Sequence, residues 1–175
     1  RADKNVTCMN LTTKEKETVA YDKLIIATGS SLRMPAVPGA DLKGITSLQS
    51  MQDADFLRKI RDEKKVKRAV IIGGGLIGIE TCEALQLAGI EITIVELLPQ
   101  LLIFLDIEIA KLVENHVKTK KTRVITENGL AEFTGEDGQL RGVKLKSGEV
   151  IPCELAVVAI GVTPNVKLAR ETGIA

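Results

Sequence analysis

Ala69-Val70-Ile71-Ile72-Gly73-Gly74-Gly75-Leu76-Ile77-Gly78 is the stretch whose reading decides the fold. Four consecutive apolar residues suit a strand buried on both faces, as in a parallel sheet. The three adjoining glycines permit a tight turn, and the residues from Leu76 to Leu87 then read as a helix closed by Ala88-Gly89. Glu91-Ile92-Thr93-Ile94-Val95 is the next strand, and it ends on an acid, Glu96. Strand, glycine turn, helix, strand and acid form a βαβ unit.

Gly73-Gly74-Gly75-Leu76-Ile77-Gly78 matches G-x-G-x-x-G. The pattern is weak alone but specific between a buried strand and a helix, with an acid at the end of the following strand. Each glycine has an expected task. Gly73 permits the turn, Gly75 lets backbone approach a pyrophosphate, and Gly78 lets helix and sheet pack closely. The unpaired N–H groups at the helix start then face an anion. Glu96 lies 18 positions beyond Gly78, placed to accept hydrogen bonds from an adenosine ribose and to repel a 2′-phosphate. Leu97 and Leu98 follow it, with no Arg or Lys nearby in sequence. The expected ligand is therefore NAD(H) rather than NADP(H).

Outward from this unit the pattern continues. Asp106 to Lys118 reads as an amphipathic helix capped by Asp106, with Ile109, Leu112, Val113 and Val117 inward. Val124-Ile125-Thr126 is a third strand, so a parallel sheet with right-handed crossovers is expected. Leu130–Phe133, Leu140–Leu145 and Glu149–Ile151 read as a three-stranded meander, joined at Gly135-Glu136-Asp137-Gly138 and Ser147-Gly148. Leu155 to Ile160 is a last buried strand, followed by Gly161-Val162-Thr163-Pro164-Asn165.

Upstream, residues 5–9 and 17–20 read as a hairpin. Leu24-Ile25-Ile26-Ala27 looks like a buried strand stopping at Thr28-Gly29, and Arg33 to Gly39 is a proline-bearing connector. Ser50 to Lys65 reads as a helix with Phe56, Leu57 and Ile60 on one stripe. The basic run Lys64–Arg68 is then a solvated helix end. The expected fold is α/β, Rossmann-like and three-layered, with a parallel sheet and a three-stranded antiparallel meander.

Composition narrows the function classes. The 175 residues are 45% hydrophobic with a net charge of +1, so no strong field recruits nucleic acid or an anionic membrane. Only 2% are aromatic, too few for a base-stacking surface. No apolar run is long enough to span a membrane. Cys8, Cys82 and Cys153 are far apart and the one histidine, His116, sits near a helix end, so neither metal spacing nor a nucleophile–base pair is expected. Sparse cysteines and a polar start without a signal-peptide core point to a cytoplasmic setting. The first residue is not Met, so an excised piece of a longer chain is expected. Glu80 follows Gly78 by two residues, which places it in the first turn as an ordinary helix-start acid.

The whole order of motifs resembles the central part of the flavin-dependent pyridine nucleotide–disulfide oxidoreductases, which implies an FAD/NAD(P)-binding form of this fold. Tyr21 to Ser30 is similar to that family's "Y-D-x-L-I-I-A-T-G-S" segment. Pro35 to Gly39 resembles its connector, Gly73 to Glu80 its "G-G-G-x-I-G-x-E" fingerprint, and Ala159 to Asn165 its "A-x-G-x-x-P-N" segment. The resemblance is strongest to the branch of NADH oxidases, coenzyme A-disulfide reductases, nitrite reductases and rubredoxin or ferredoxin reductases. It implies residues 1–45 as the trailing part of a flavin domain, 46–67 as a linker helix, 68–165 as the NAD(H) domain and 166–175 as the return. It also implies Gly73, Gly75, Leu76, Ile77 and Gly78 along the pyrophosphate and nicotinamide, Glu96 and Leu97 at the adenosine, and Gly161 on the nicotinamide side. Glu80 would face the flavin–nicotinamide junction, with Thr28 and Gly29 where the two nucleotide domains meet.

The implied cofactors are NAD(H) on this chain and FAD in the full-length protein, which would form a homodimer and pass electrons from NADH to an acceptor this chain does not name. The first flavin fingerprint, the later G-D motif, a redox-active cysteine and the interface domain of that family are not in this sequence. Leu76 stands where relatives often carry an aromatic residue. A stand-alone NAD-binding sensor is the alternative.

Overall fold

The computed structural model describes residues 3–174. In chain order the first elements are β1 (Asn5–Met9), β2 (Lys16–Ala20), β3 (Ser30–Leu32), β4 (Ile45–Thr46), α1 (Met51–Glu63), β5 (Arg68–Ile72), α2 (Leu76–Leu87) and β6 (Glu91–Val95). There follow α3 (Ile107–Thr119), β7 (Arg123–Ile125), β8 (Leu130–Glu136), β9 (Gln139–Leu145), β10 (Val150–Pro152), β11 (Leu155–Val158), β12 (Val162–Pro164) and α4 (Lys167–Glu171). They divide into two units, one of residues up to Ser31 with those from Thr163 onward, the other Leu32–Val162.

In the larger unit, strands run β4-β11-β5-β6-β7, all parallel. Val70, Ile71 and Ile72 in β5 are buried, as expected of a run apolar on both faces. Alternation sorts their side chains. Ala69 and Ile71 join Ile92 and Ile94 of β6, Leu155 and Val157 of β11, Cys82 and Leu85 of α2 and Val117 of α3 in one cluster. Val70, Ile72, Val95, Ala156 and Val158 face the other way, onto Leu130, Phe133, Leu140, Val143, Leu145 and Ile151. Helices therefore cover one face and the antiparallel meander, ordered β10-β9-β8, covers the other. These are the three layers expected.

Several local readings need correction. The β8–β9 turn is shorter than the four residues expected. Strand β8 runs on to Glu136, and only Asp137-Gly138 turns, both at positive φ, as a two-residue hairpin loop requires. In α3 the inward stripe is Ala110, Val113 and Val117, while Ile109 and Leu112 are exposed. Apolar residues at 107, 109, 112, 113 and 117 are too widely spread round a helix for spacing alone to select the inner face. Asp106 is the N-cap residue, but its side chain makes no capping bond.

Helix α1 begins at Ser50, which accepts from Asp53 N while the Asp53 carboxylate accepts from Ser50 N, a reciprocal capping box. Leu57 and Ile60 pack on the helical-face core, whereas Phe56 is exposed. Lys64 closes the helix in the left-handed region; Lys65–Lys67 form a loop and Arg68 opens β5, so the basic run is only in part a helix end. Val37, Ala40, Leu42 and Ile45 pack on the meander-side core and belong to the larger unit, as does α1.

In the smaller unit, β1 and β2 pair antiparallel from Asn5↔Ala20 to Met9↔Lys16. Asn10 Oδ1 accepts from Thr12 N and Thr13 N and so shapes the turn. Leu24–Ala27 is not a strand. Leu24, Ile25 and Ala27 are exposed, and no described strand pairs with them. Gly29 O accepts from Asn165 N, Thr28 Oγ1 donates to Asn165 O at 2.5 Å, and Asn165 Nδ2 donates to Thr28 O. Strand β3 pairs with β12 in a two-stranded sheet.

Candidate functional site

A cleft of about 660 Å³ opens at the carboxyl ends of β5, β6, β7 and β11, with all its lining residues in the larger unit. Ligands in open parallel sheets bind at this edge. Its floor is the glycine turn. Gly73 has φ of 110°, and a Cβ there would stand 2.4 Å from Ala159 O, so both conformation and space demand glycine. A Cβ on Gly78 would stand 2.1 Å from Gly73 O. This contact presses the first turn of α2 against the end of β5. Around Gly75 nothing lies within 4 Å of where a Cβ would be. It is the N-cap of α2 and no side chain caps the helix. The first-turn amides have no intrahelical acceptor either, so the turn offers donors and open space together.

Glu96 is fixed from two sides. Its Oε2 accepts from Gly74 N at 2.6 Å and its Oε1 accepts from Leu98 N at 2.7 Å. The carboxylate thereby ties the glycine turn to the residues after β6. A carboxylate has about four lone-pair sites, so this half-buried group can still accept from a ligand hydroxyl. Beyond it, Leu102 holds a left-handed conformation at φ of 48° and donates its N–H to Gly74 O, while Leu101 is fully buried. That loop brings Ile103 and Phe104 to the cleft, both exposed.

The structure brings together most of the residues expected at the site. Gly73, Gly75, Leu76, Ile77, Glu96, Leu97 and Gly161 line one cleft, and Gly78 lies behind it. Glu80 does not line it. With Leu76 as the first helical residue, Glu80 falls in the second turn and is exposed, a correction to the first-turn position expected from Gly78 alone. Thr28 and Gly29 belong to the smaller unit and make the Asn165 contacts described above. The cleft is also lined by Pro35, Phe104, Asn128, Gly129 and Lys146, which sequence reasoning missed. Asn128-Gly129 follows β7, so its place at a parallel strand's carboxyl end was a usable signal. Lys146 arrives from the meander and carried none.

Cys82 and Cys153 are buried, and burial raises both thiols, Cys153 to about 12. A thiol so placed stays protonated and unreactive. His116 is exposed on α3. Among the described residues no group of three or more His, Cys, Asp or Glu could hold a metal, and no helix is long and apolar enough to cross a membrane.

Helices on one face of a parallel sheet, a meander on the other and a glycine-floored cleft at the strand ends define a Rossmann-like α/β protein. The model of the pyridine nucleotide-disulphide oxidoreductase family matches residues 1–175, and the chain belongs to that family. It is 35% identical over 155 residues to nitrite reductase [NAD(P)H] of Bacillus subtilis, covering 88% of this chain and 19% of that protein. The reduced CoADR-RHD of Bacillus anthracis superposes with a TM-score of 0.89 at 38% identity, covering 98% of this chain and 30% of that one. The NADH-bound water-forming NADH oxidase of Lactobacillus brevis gives 0.86 at 26% identity, covering 97% and 37%. The chain thus spans well under half of each of these relatives.

Proposed function

We propose that the cleft binds NADH, and that the chain is the electron-entry portion of a longer NADH-dependent flavoprotein oxidoreductase carrying FAD. The observation that carries this reading is the Glu96 carboxylate held at the edge of an uncapped, glycine-floored helix start. The residues fit the cofactor. The first-turn amides of α2 would receive the pyrophosphate, since Gly75 leaves room for it. Glu96 would accept from the adenosine ribose beside Leu97. Gly161, Leu76 and Ile77 would border the nicotinamide end. When bound, NADH supplies a hydride for the flavin, which hands electrons on to a disulfide, oxygen, nitrite or a small redox protein. Leu76, Ile77 and Phe104 would give the bound dinucleotide apolar walls to lie against.

Preference for NADH rests on Glu96, whose charge opposes a 2′-phosphate. An engineered NADPH-bound form of the Lactobacillus brevis oxidase carries exchanges at a glycine and at an aspartate eighteen positions later. That spacing is the one between Gly78 and Glu96 here. Equilibrium titration with both nucleotides tests the reading. NADH should bind more tightly, and Glu96→Ala should cost about 1.5–3 kcal/mol of NADH affinity while narrowing the preference. Equal affinities in the unaltered protein, or an unchanged ratio in Glu96→Ala, would overturn it.

A further inference from the structure

Resting on that reading, we infer that Lys146 is a specificity-determining residue at the adenosine end of the cleft, a cation that offsets the Glu96 charge toward a 2′-phosphorylated dinucleotide. Lys146 lies far from the glycine turn in sequence, yet its backbone is fastened to the Glu96 edge. Lys146 N donates to Gly129 O at 2.8 Å, Asn128 Nδ2 donates to Ser147 Oγ and Ser147 N donates to Asn128 Oδ1. Asn128 N in turn donates to Glu96 O at 3.2 Å. The side chain follows the same route. Around the point where a Cβ on Gly129 would sit, Lys146 Cδ and Cε stand at 3.2 Å and Leu97 Cδ1 at 3.1 Å. The lysine stem and Leu97, the neighbour of Glu96, therefore converge over Gly129, with the ammonium one bond beyond.

Lys146 is exposed, lines the cleft, and has no carboxylate within ion-pair distance among the described residues. Two carboxylates of the surrounding elements already have their own cations, Glu149 with Arg123 at 2.7 Å and Glu132 with Lys144 at 3.7 Å. A strand-end acid would hold the ribose at this place, so a phosphate on that ribose meets Glu96 on one side and the Lys146 ammonium on the other. Neutral ribose hydroxyls gain little from the cation. The residue acts on the ratio of the two nucleotides rather than on dinucleotide binding as such.

The test titrates NADH and NADPH against the full-length protein, Lys146→Met and Lys146→Glu, at two salt concentrations, with melting temperature as the folding control. Met keeps the apolar stem and removes only the charge. NADPH affinity should fall about three- to fivefold in Lys146→Met, the size of one exposed charge contact. It should fall further in Lys146→Glu, while NADH affinity changes less than about twofold. The salt sensitivity of NADPH binding should decrease in Lys146→Met. Parallel losses for both nucleotides, or an unchanged ratio, would overturn the role of Lys146 and leave the NADH reading standing. Failure of the unaltered protein to bind either nucleotide would overturn both.

Discussion

Leu24-Ile25-Ile26-Ala27 and Ala69-Val70-Ile71-Ile72 are nearly the same sequence object. Each is four apolar residues ending near a glycine at positive φ, Gly29 or Gly73. One is a strand with neighbours on both sides and all four residues buried. The other is irregular backbone, with Ile25 at 88% exposure. Apolar composition does not make a strand; backbone partners on either side and a layer to bury against do. β5 has β11 and β6 alongside and packs a helical layer on one face and a meander on the other.

The largest expected effect that could break this contrast is a charge placed in each run. Ile71→Asp should cost about 4 kcal/mol or more, since it buries an unpaired carboxylate. Ile25→Asp should stay within about 0.5 kcal/mol. Denaturant unfolding of the 175-residue chain reads both, and similar losses would show that 24–27 packs as a strand does. The next effect compares the two glycines. Gly73→Ala combines a forbidden conformation with a contact at 2.4 Å to Ala159 O and should cost about 3 kcal/mol. Gly29→Ala meets nothing within 4 Å and should cost about 1 kcal/mol, the left-handed penalty alone. Thermal melts of the two variants check the order.

The smallest effect concerns what ties β5 at its entrance. Glu154 accepts from Lys67 N, Arg68 N and the Arg68 guanidinium. Partial burial pushes its carboxyl upward, but the Arg68 side chain and the two backbone donors outweigh that and hold it below the usual 4.5. A carboxyl depressed on folding stabilises the fold fully above its unfolded value, and that contribution fades as pH falls through the folded one. Glu154→Gln should therefore lose about 1 kcal/mol near neutral pH, because solvent screens the pair. The loss should shrink below about pH 4.5, as the unaltered carboxyl itself becomes neutral. A pH series of unfolding curves for both proteins reads this, and a constant difference would contradict the assignment.

What was legible in the sequence follows the same division. β5, α2 and β6 could be read to within a residue because their pattern is local, and α2 begins at Leu76 and ends at Leu87 as expected. The three-layer plan followed from the order of strands, helices and turns. The inner face of α3 was not legible, since Ile109 and Leu112 are as apolar as Val113 and Val117, and tertiary packing chose between them. At the site, the glycines and Glu96 were visible through spacing. The hydrogen bonds that lock Glu96 to Gly74 and Leu98, and the arrival of Lys146 from the meander, depend on chain segments brought together only by the fold.

The double clamp on Glu96 lowers the entropic cost that a ligand would meet in engaging this carboxylate. A free glutamate side chain surrenders rotamer entropy, on the order of 0.5–1.5 kcal/mol, when a ligand immobilises it. Here Gly74 and Leu98 have already done so within the fold itself. On the proposed reading, the carboxylate would meet a ribose as a rigid acceptor, already oriented rather than assembled on arrival.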